Sequence, residues 1–448
     1  MKFDLIVIGG GSGLTVVSAA AAQGLKVAII EEGPLGGTCL NRGCIPTKIL
    51  VHSADVVQTI KNSSEFGVNV ECDPSIDFEK AMKRSWVVDE DAKKIEDSLR
   101  KSPNITLYKE RAKFTGPKTL LVKDGEISAD KIVIAAGTRP SVPQLEGIDS
   151  VPYMTSREIL RLKELPKELL VIGGGYISTE LAYFFSAMGS KVTILQRNVR
   201  LLPREDQEIG EKFTEIFSKH CDVKLNFASS KVEKNGNRII VHSKDGQKAE
   251  GSHLLIATGR TSNSDILEVE KTGVALNKHG YVECDEYMQT NVDGIWVLGD
   301  IAGKYLFKHS ANLEAETVVR NIFNPDHKVK VDYSAMPHAV FSFPQIAGVG
   351  YTEQELKEKE MKYLSGKYMY KNSGMGLAIG EKEGFVKFLT DYDGKILGCH
   401  IMGPEASTLI HEVLVLMRTG SNYLGDITRT IHIHPALSEV VDRAARSV

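Results

Sequence analysis

Apolar residues in this chain fall into short, nearly unbroken runs, each cut off by glycine. FDLIVI (3–8) is β-branched, too short for a helix and followed at once by GGGSG, so it predicts a strand buried on both faces. The Ala-rich stretch from Leu14 to Gln23 predicts a helix closed by Gly24. KVAIIE (26–31) predicts a second strand, completing a βαβ unit within about 30 residues. The plan returns at LLVI (169–172), GGG (173–175), the helical TELAYFFSAM, Gly189 and KVTILQ (191–196). Two such units predict two dinucleotide-binding domains. KIVIAAGTRP (131–140) and HLLIATGRTSN (253–263) each read as a buried strand leaving its sheet near the bound nucleotide, and Pro140, Pro143 and Pro152 read as linker. Beyond about residue 330, strands alternate with two amphipathic helices, 353–360 and 405–419, which predicts a third domain.

Composition narrows this picture without changing it. At 448 residues, with 42% hydrophobic and 25% charged, the chain fits two or three globular domains and excludes a disordered or collagen-like protein. No run approaches the ~20 apolar residues of a membrane span, and MKFDLIVIGGG does not fit a signal peptide. A net charge of −3 gives no reason to expect nucleic acid or an anionic membrane as partner. Six cysteines are too few for a disulfide scaffold, which predicts a cytoplasmic protein with reduced thiols. Cys72, Cys221, Cys284 and Cys399 are scattered, but Cys39 and Cys44 sit five apart.

Gly9-Gly10-Gly11-Ser12-Gly13-Leu14 joins the first strand to its helix. Glycine lets such a turn tighten and lets a pyrophosphate reach the backbone, where the unpaired N–H groups of a helix start carry positive partial charge. Glu31, at the end of the second strand, is placed to accept hydrogen bonds from adenosine ribose hydroxyls. Leu14 replaces the third fingerprint glycine, which predicts a slightly different packing of helix on strand. A lone fingerprint also fits a tight turn that binds nothing; strand, helix, carboxylate and second copy together favour the nucleotide. In that copy, Gly173-Gly174-Gly175-Tyr176-Ile177-Ser178, the third position is Ser178, and Gln196-Arg197 stand where Glu31 stands in the first. Losing the carboxylate removes the repulsion a 2′-phosphate would feel, and Arg197, with Arg200 and Arg204 behind it, offers guanidinium contacts. The site therefore leans to NADP(H) over NAD(H), a solvated basic loop being the plainer alternative.

The segment GGTCLNRGCIPTK (36–48) follows the first unit. On a regular helix, residues five apart are about 140° out of phase and about 7.5 Å apart along the axis, too far for an easy disulfide. Gly43 and Pro46 weaken that objection by loosening the helix. The residues alone leave open a reducible bridge or two free thiols. Zinc would need further ligands that no nearby histidine or cysteine supplies.

This segment resembles the active-site signature of the class I pyridine nucleotide-disulfide oxidoreductases, the flavoprotein family of dihydrolipoamide dehydrogenase, glutathione reductase and mercuric reductase. The resemblance runs through the AAG and ATGR strands, the second fingerprint, WVLGDIAG (296–303), PHAVFSFPQIAGVG (337–350) and HIHPALSE (432–439), in the family's order. It implies an α/β chain with two Rossmann-like domains and a C-terminal α+β dimerisation domain. The implied boundaries are 1–145 and 265–328 for FAD, 146–264 for NAD(P), and 329–448 for the interface.

By resemblance, Gly9, Gly11, Gly13, Glu31, Thr38, Gly137 and Asp300 hold FAD, and Gly173, Gly175, Tyr176, Ile177, Arg197 and Gly259 the nicotinamide nucleotide. Cys39 matches the thiol that meets the substrate, and Cys44 the thiol beside the flavin, where a thiolate gives a charge-transfer complex. Lys48 and Glu180 match an ion pair near the flavin N5, and Tyr176 an aromatic gate over the nicotinamide pocket. His432 and His434 share one side of an extended segment. By resemblance His434 is the acid/base and Glu439 its orienting carboxylate. Imidazole, titrating near neutrality, suits that role. In the family this histidine acts across a two-fold interface, which implies a homodimer.

The resemblance implies a small thiol or disulfide as substrate, with a lipoyl group on a carrier protein among the candidates. Dihydrolipoamide dehydrogenase fits the cysteine and histidine motifs but typically has a carboxylate at the position of Gln196. The glutathione reductase type explains Arg197. Mercuric reductase resembles the chain at 196–211 but typically ends in a cysteine pair, whereas this chain ends Arg-Ala-Ala-Arg-Ser-Val. A flavoprotein electron-relay subunit that turns over no disulfide is the reading from another class. Arg42 reads either as an anion contact or thiol-tuning charge, or as a surface residue.

Overall fold

The computed structural model describes residues 1–71 and 74–448, so Cys72 lies outside the described residues. Five sheets organise the chain. In the first, the strands Ile105–Tyr108, Val27–Ile30, Lys2–Ile8 and Gly125–Ile134 run parallel in that spatial order. Val27–Ile30 is buried at every position, as its unbroken apolar run requires of a strand covered on both faces. The ten-residue strand Gly125–Ile134 carries the antiparallel Thr119–Val122 on its first half and the parallel Ile295–Val297 on its last three residues. This sheet is thus closed by a strand that arrives only after the second sheet has been built.

That second sheet is parallel, in the order Asp222–Lys224, Lys191–Leu195, Glu168–Ile172, His253–Ile256. An antiparallel three-stranded sheet, Ser229–Asn235, Arg238–Ser243 and Lys248–Gly251, accompanies it. The two predicted sheet exits meet each other. Thr138–Pro140 pairs antiparallel with Arg260–Ser262, so the chain leaves the first nucleotide unit and returns to it along one short ladder.

The C-terminal sheet is antiparallel, in the order His338–Val340, Ile346–Gly350, Ile396–Met402, Phe385–Thr390, Leu364–Met369. The predicted helices occupy Glu353–Glu358 and Ala406–Thr419. All six residues of Phe385–Thr390 are buried, Lys387 among them. Burying an ammonium is unfavourable unless it is paired. Lys387 Nζ lies 2.9 Å from Asp206 Oδ1 and 2.7 Å from Glu353 Oε2, which ties this sheet to the loop before the helix Gln207–Phe217. Among the described residues no helix is long and apolar enough to cross a membrane.

Candidate active site

The first glycine turn is built for close approach. A Cβ on Gly9 (φ +111°) would fall 2.2 Å from Ala135 O, and one on Gly13 would fall 2.9 Å from Val7 Cγ1. Gly13 therefore takes over the tight helix–strand contact that the fingerprint assigns to the position of Leu14. Ser12 gives the helix Gly13–Ala22 no side-chain cap; Leu14 N and Thr15 N bond back to Gly11 O (3.3 Å) and Ser12 O (3.1 Å), while the N–H groups of Gly11 and Ser12 have no partner among the described residues and suit an anion. Glu31 accepts hydrogen bonds from Gly10 N (2.8 Å) and Gly33 N (2.7 Å), which holds its carboxylate across the turn. Gly137 (φ +63°) has open space where a Cβ would stand. Asp300 accepts from Thr138 Oγ1 at 2.9 Å and lies 3.7 Å from Arg260 Nε; burial raises its carboxyl, and Arg260 and Thr138 oppose that. A helix start without a side-chain cap, a glycine cradle and a carboxylate fixed at the end of the second strand fit the ADP half of FAD.

Thr38 and Cys39 lie in the short helix Gly37–Arg42, which Gly43 (φ −154°, ψ −111°) ends. A new helix, Cys44–Asn62, starts at the next residue. Pro46 falls in its first turn, where no N–H partner is required, so proline fits without distortion. The break removes the phase problem of a continuous helix and brings the two thiols into hydrogen-bond contact. The bond from Cys39 lowers Cys44 to about 7, Lys48 adding to the effect against burial, while the same bond and burial raise Cys39.

Lys48 stands one turn after Cys44. Its Nζ donates to both Glu180 oxygens (2.8 and 2.7 Å) and lies 4.6 Å from the centre of the Phe341 ring. Glu180, 8% exposed, comes from the helix Tyr176–Ala187 and accepts also from Phe341 N at 3.0 Å. Cys44, Lys48 and His52 line one cleft of about 500 Å³, with Ile45, Ile49, Arg84 and Phe341. Replacing Lys48 by Met should raise the Cys44 thiol by about one pH unit or more, seen in the ultraviolet thiolate titration of the reduced protein. An unmoved titration would remove Lys48 from the argument. Arg42 does not face the thiols: its Nη2 lies beside Gly33, on the side of Glu31.

The second turn repeats the first with changed details. A Cβ on Gly173 (φ +112°) would fall 2.4 Å from Ala257 O, while Gly175 and Gly259 face open space. Ile177 is half-buried in the first turn of the helix Tyr176–Ala187, which has no side-chain cap. Ser178 donates to Ala257 O at 3.4 Å. Gln196 is buried and donates to Arg200 O at 3.1 Å, turned inward rather than towards a ribose. Arg197 and Arg204 are exposed, and among the described residues neither enters an ion pair.

His432 and His434 take different partners. His432 is turned onto the helix Ala406–Thr419, its Nε2 2.7 Å from Glu412 Oε1. His434 is 76% exposed, with Nδ1 3.0 Å from Glu439 Oε1. That hydrogen bond draws the Glu439 carboxyl below its usual range. Of the two histidines, His432 is thus paired with Glu412, while His434, expected as the acid/base, is held by Glu439. Ile431 (96% exposed) and Ile433 (78%) flank His432.

Several contributors carry no sequence signal. Lys308 begins the helix Lys308–Phe323, donates to Ser12 Oγ at 2.7 Å, and its charge opposes the rise of Cys39. Glu205 and His338 enclose the Tyr176 hydroxyl. Their partners lie far away along the chain, and nothing in their local pattern marks them.

Two glycine turns at helix starts, the first packed against the thiol-bearing segment at Gly37, are the arrangement of a flavoprotein disulfide reductase. The chain belongs to the class I pyridine nucleotide-disulfide oxidoreductase family and uses FAD and NAD(P)H. Residues 3–319 match the family described as pyridine nucleotide-disulphide oxidoreductase, and 336–445 match its dimerisation domain. A mycothione reductase of Mycobacterium tuberculosis is 36% identical over 99% of this chain and 98% of its own length. A dihydrolipoyl dehydrogenase of Chlorobaculum parvum is 37% identical over 99% and 96%. The HOCl-induced flavoprotein disulfide reductase RclA of Escherichia coli superposes with a TM-score of 0.89 at 30% identity, covering 99% of this chain and 100% of that one.

Proposed function

We propose that this enzyme exchanges electrons between a nicotinamide nucleotide and a thiol/disulfide substrate through a reversible Cys39–Cys44 disulfide, with a lipoyl dithiol as first candidate substrate. The observation that carries this reading is the thiol pair brought together across the Gly43 break, with Cys44 sharing a cleft with Lys48, whose charge helps to lower its thiol. When bound, FAD supplies the two-electron relay between nicotinamide and sulfur. Gly9, Gly11, Gly13 and Glu31 hold its ADP half, with Thr38, Gly137 and Asp300 further along. Gly173, Gly175, Ile177, Gly259 and Arg197 serve the nicotinamide nucleotide, and Tyr176 gates its pocket. Residues 1–145 and 265–328 form the FAD domain, 146–264 the nicotinamide domain and 329–448 the interface.

In the reducing direction, an imidazole takes the proton of Cys39, whose thiolate attacks a substrate disulfide. One Cys39–substrate bond forms as the substrate S–S bond breaks, and the leaving thiolate takes that proton from the imidazolium. The Cys44 thiolate then attacks Cys39, restoring the bridge and releasing the second substrate sulfur as a thiolate that takes its proton from solvent. The imidazole is His434 of the partner subunit in a homodimer. Its Nδ1 is held by Glu439, which leaves Nε2 to carry the proton. The exposed Ile431 and Ile433 beside an unburied His434 support such an interface. A pair that must cycle suits the reducing cytoplasm.

A second reading, an NADPH-dependent disulfide reductase of the glutathione reductase type, is favoured by the inward Gln196 and the unpaired Arg197 and Arg204. A steady-state panel tests both: lipoamide and dihydrolipoamide, glutathione disulfide, mycothione disulfide and Hg(II), each with NAD(H) and NADP(H). NADP(H) should be preferred by about tenfold in kcat/KM, the weight of one charge-assisted phosphate contact. Dihydrolipoamide oxidation with NAD alone would overturn the cofactor assignment, and no thiol turnover at all would favour an electron-relay subunit.

A further inference from the structure

The Tyr176 hydroxyl is tied down more firmly than a mobile gate requires. It donates to Glu205 Oε1, while the other oxygen of Glu205 lies 2.8 Å from His338 Nε2. Glu205 is 1% exposed, and each of its oxygens has this one partner among the described residues. Burial alone would raise the carboxyl and lower the imidazole; the mutual attraction of the pair, with the hydrogen bonds, reverses both directions. The Tyr176 ring is clasped as well, stacked on Phe307 (centroids 6.2 Å apart, planes at 19°) and on His338 (6.4 Å, 23°). These groups come from separate elements. Tyr176 opens the helix Tyr176–Ala187, Glu205 precedes the helix Gln207–Phe217, His338 starts a strand of the C-terminal sheet, and Phe307 precedes the helix Lys308–Phe323.

We infer that Glu205 and His338 form a latch that holds the Tyr176 ring closed over the nicotinamide pocket, and that they are positioning residues for nucleotide entry. The inference rests on the reading of Tyr176 as the gate. Swinging the ring aside takes the hydroxyl from a desolvated carboxylate that has no replacement donor. Losing a hydrogen bond to a buried charge is among the more expensive single losses in a protein. An incoming nucleotide must offset it, so its apparent affinity is lowered by the fraction of molecules with the gate open. His338 prevents Glu205 from relaxing towards the moving hydroxyl, because following it would break the ion pair. The latch thus joins the nicotinamide pocket to the C-terminal sheet through one carboxylate.

Calorimetric titration of the oxidised FAD-loaded enzyme with NADP⁺ and NAD⁺ tests this, with thermal unfolding as the control for folding. Tyr176→Phe removes only the hydroxyl and should tighten nucleotide binding by about tenfold, the weight of a hydrogen bond to a charged group. Glu205→Gln should act in the same direction but less, since an amide oxygen still accepts. In the Tyr176→Phe background it should add nothing, because the contact it weakens is already gone. Full additivity of the two would mean that Glu205 acts on the fold and would overturn the latch. Unchanged affinity in Tyr176→Phe alongside altered affinity in Tyr176→Ala would leave the gate standing and defeat the latch. Unchanged affinity in both would defeat gate and latch together. If Glu205→Gln does not fold, the two Tyr176 variants decide the matter alone.

Discussion

Replacing Cys44 by Ser should abolish the long-wavelength charge-transfer band on two-electron reduction and lower disulfide turnover at least about a thousandfold, the scale of losing a covalent nucleophile. Cys44 carries the thiolate character of the pair because its neighbour donates to it and Lys48 stands one turn away. A serine hydroxyl at that place stays protonated and offers no electron-rich sulfur. FAD should remain bound, since the glycine cradle and Glu31 do not involve position 44. The companion variant separates the two thiols. Cys39→Ser should keep the band, because a serine hydroxyl still donates to Cys44, while turnover is lost with the thiol that meets the substrate. A band surviving in Cys44→Ser, or vanishing in Cys39→Ser, would reverse the assignment.

The second large effect is expected at His434. His434→Gln should slow the thiol–disulfide half-reaction by about 10²–10⁴-fold, the range of a lost general acid/base. Reduction of the oxidised enzyme by nicotinamide nucleotide should keep its rate, because no part of the nucleotide cradle touches position 434. Rapid mixing resolves the two half-reactions. Within one chain His434 bonds Glu439 and is 76% exposed, which leaves it accessible to a second subunit as the proposed mechanism requires. An inactive His434→Gln chain mixed with an inactive Cys39→Ser chain should therefore regain activity, since one of the two hybrid sites is intact. No recovery in a verified heterodimer would mean that His434 does not act across the interface. Equal slowing of both half-reactions would point to a structural role.

Both βαβ units were legible because their strands are buried on both faces, and such strands must be written as apolar runs bounded by glycine. The helix break at Gly43 was legible in outline, since glycine and proline stand where a continuous helix would keep Cys39 and Cys44 apart. Residue type without geometry left open where Gln196 points: its side chain is turned inward to the Arg200 carbonyl, a contact four residues away that no pattern in the sequence marks. Alternation could not show the partner of His432, because Glu412 comes from a separate helix. Glu205 and His338 were illegible for a simpler reason. They lie 133 residues apart, and their pairing exists only once the C-terminal sheet has docked on the second nucleotide unit.

The ladder between Thr138–Pro140 and Arg260–Ser262 has a mechanical consequence. Its ends carry the hydrogen bonds Ser141 N to Gly259 O (2.9 Å) and Asn263 N to Gly137 O (3.2 Å), so the open glycine of each nucleotide site is stitched to the strand leaving the other. Arg260 adds a side-chain stitch, donating to Thr138 Oγ1 and Thr138 O beside Asp300. The two proposed cofactor sites are thus joined at their glycines by a few backbone pairs, beside the packed surface on which Leu50, Ala54 and Phe78 meet Leu181 and Phe184. A slip of the ladder by one register would carry both glycines out of place at once, so an error at this joint would disable the two cofactors together.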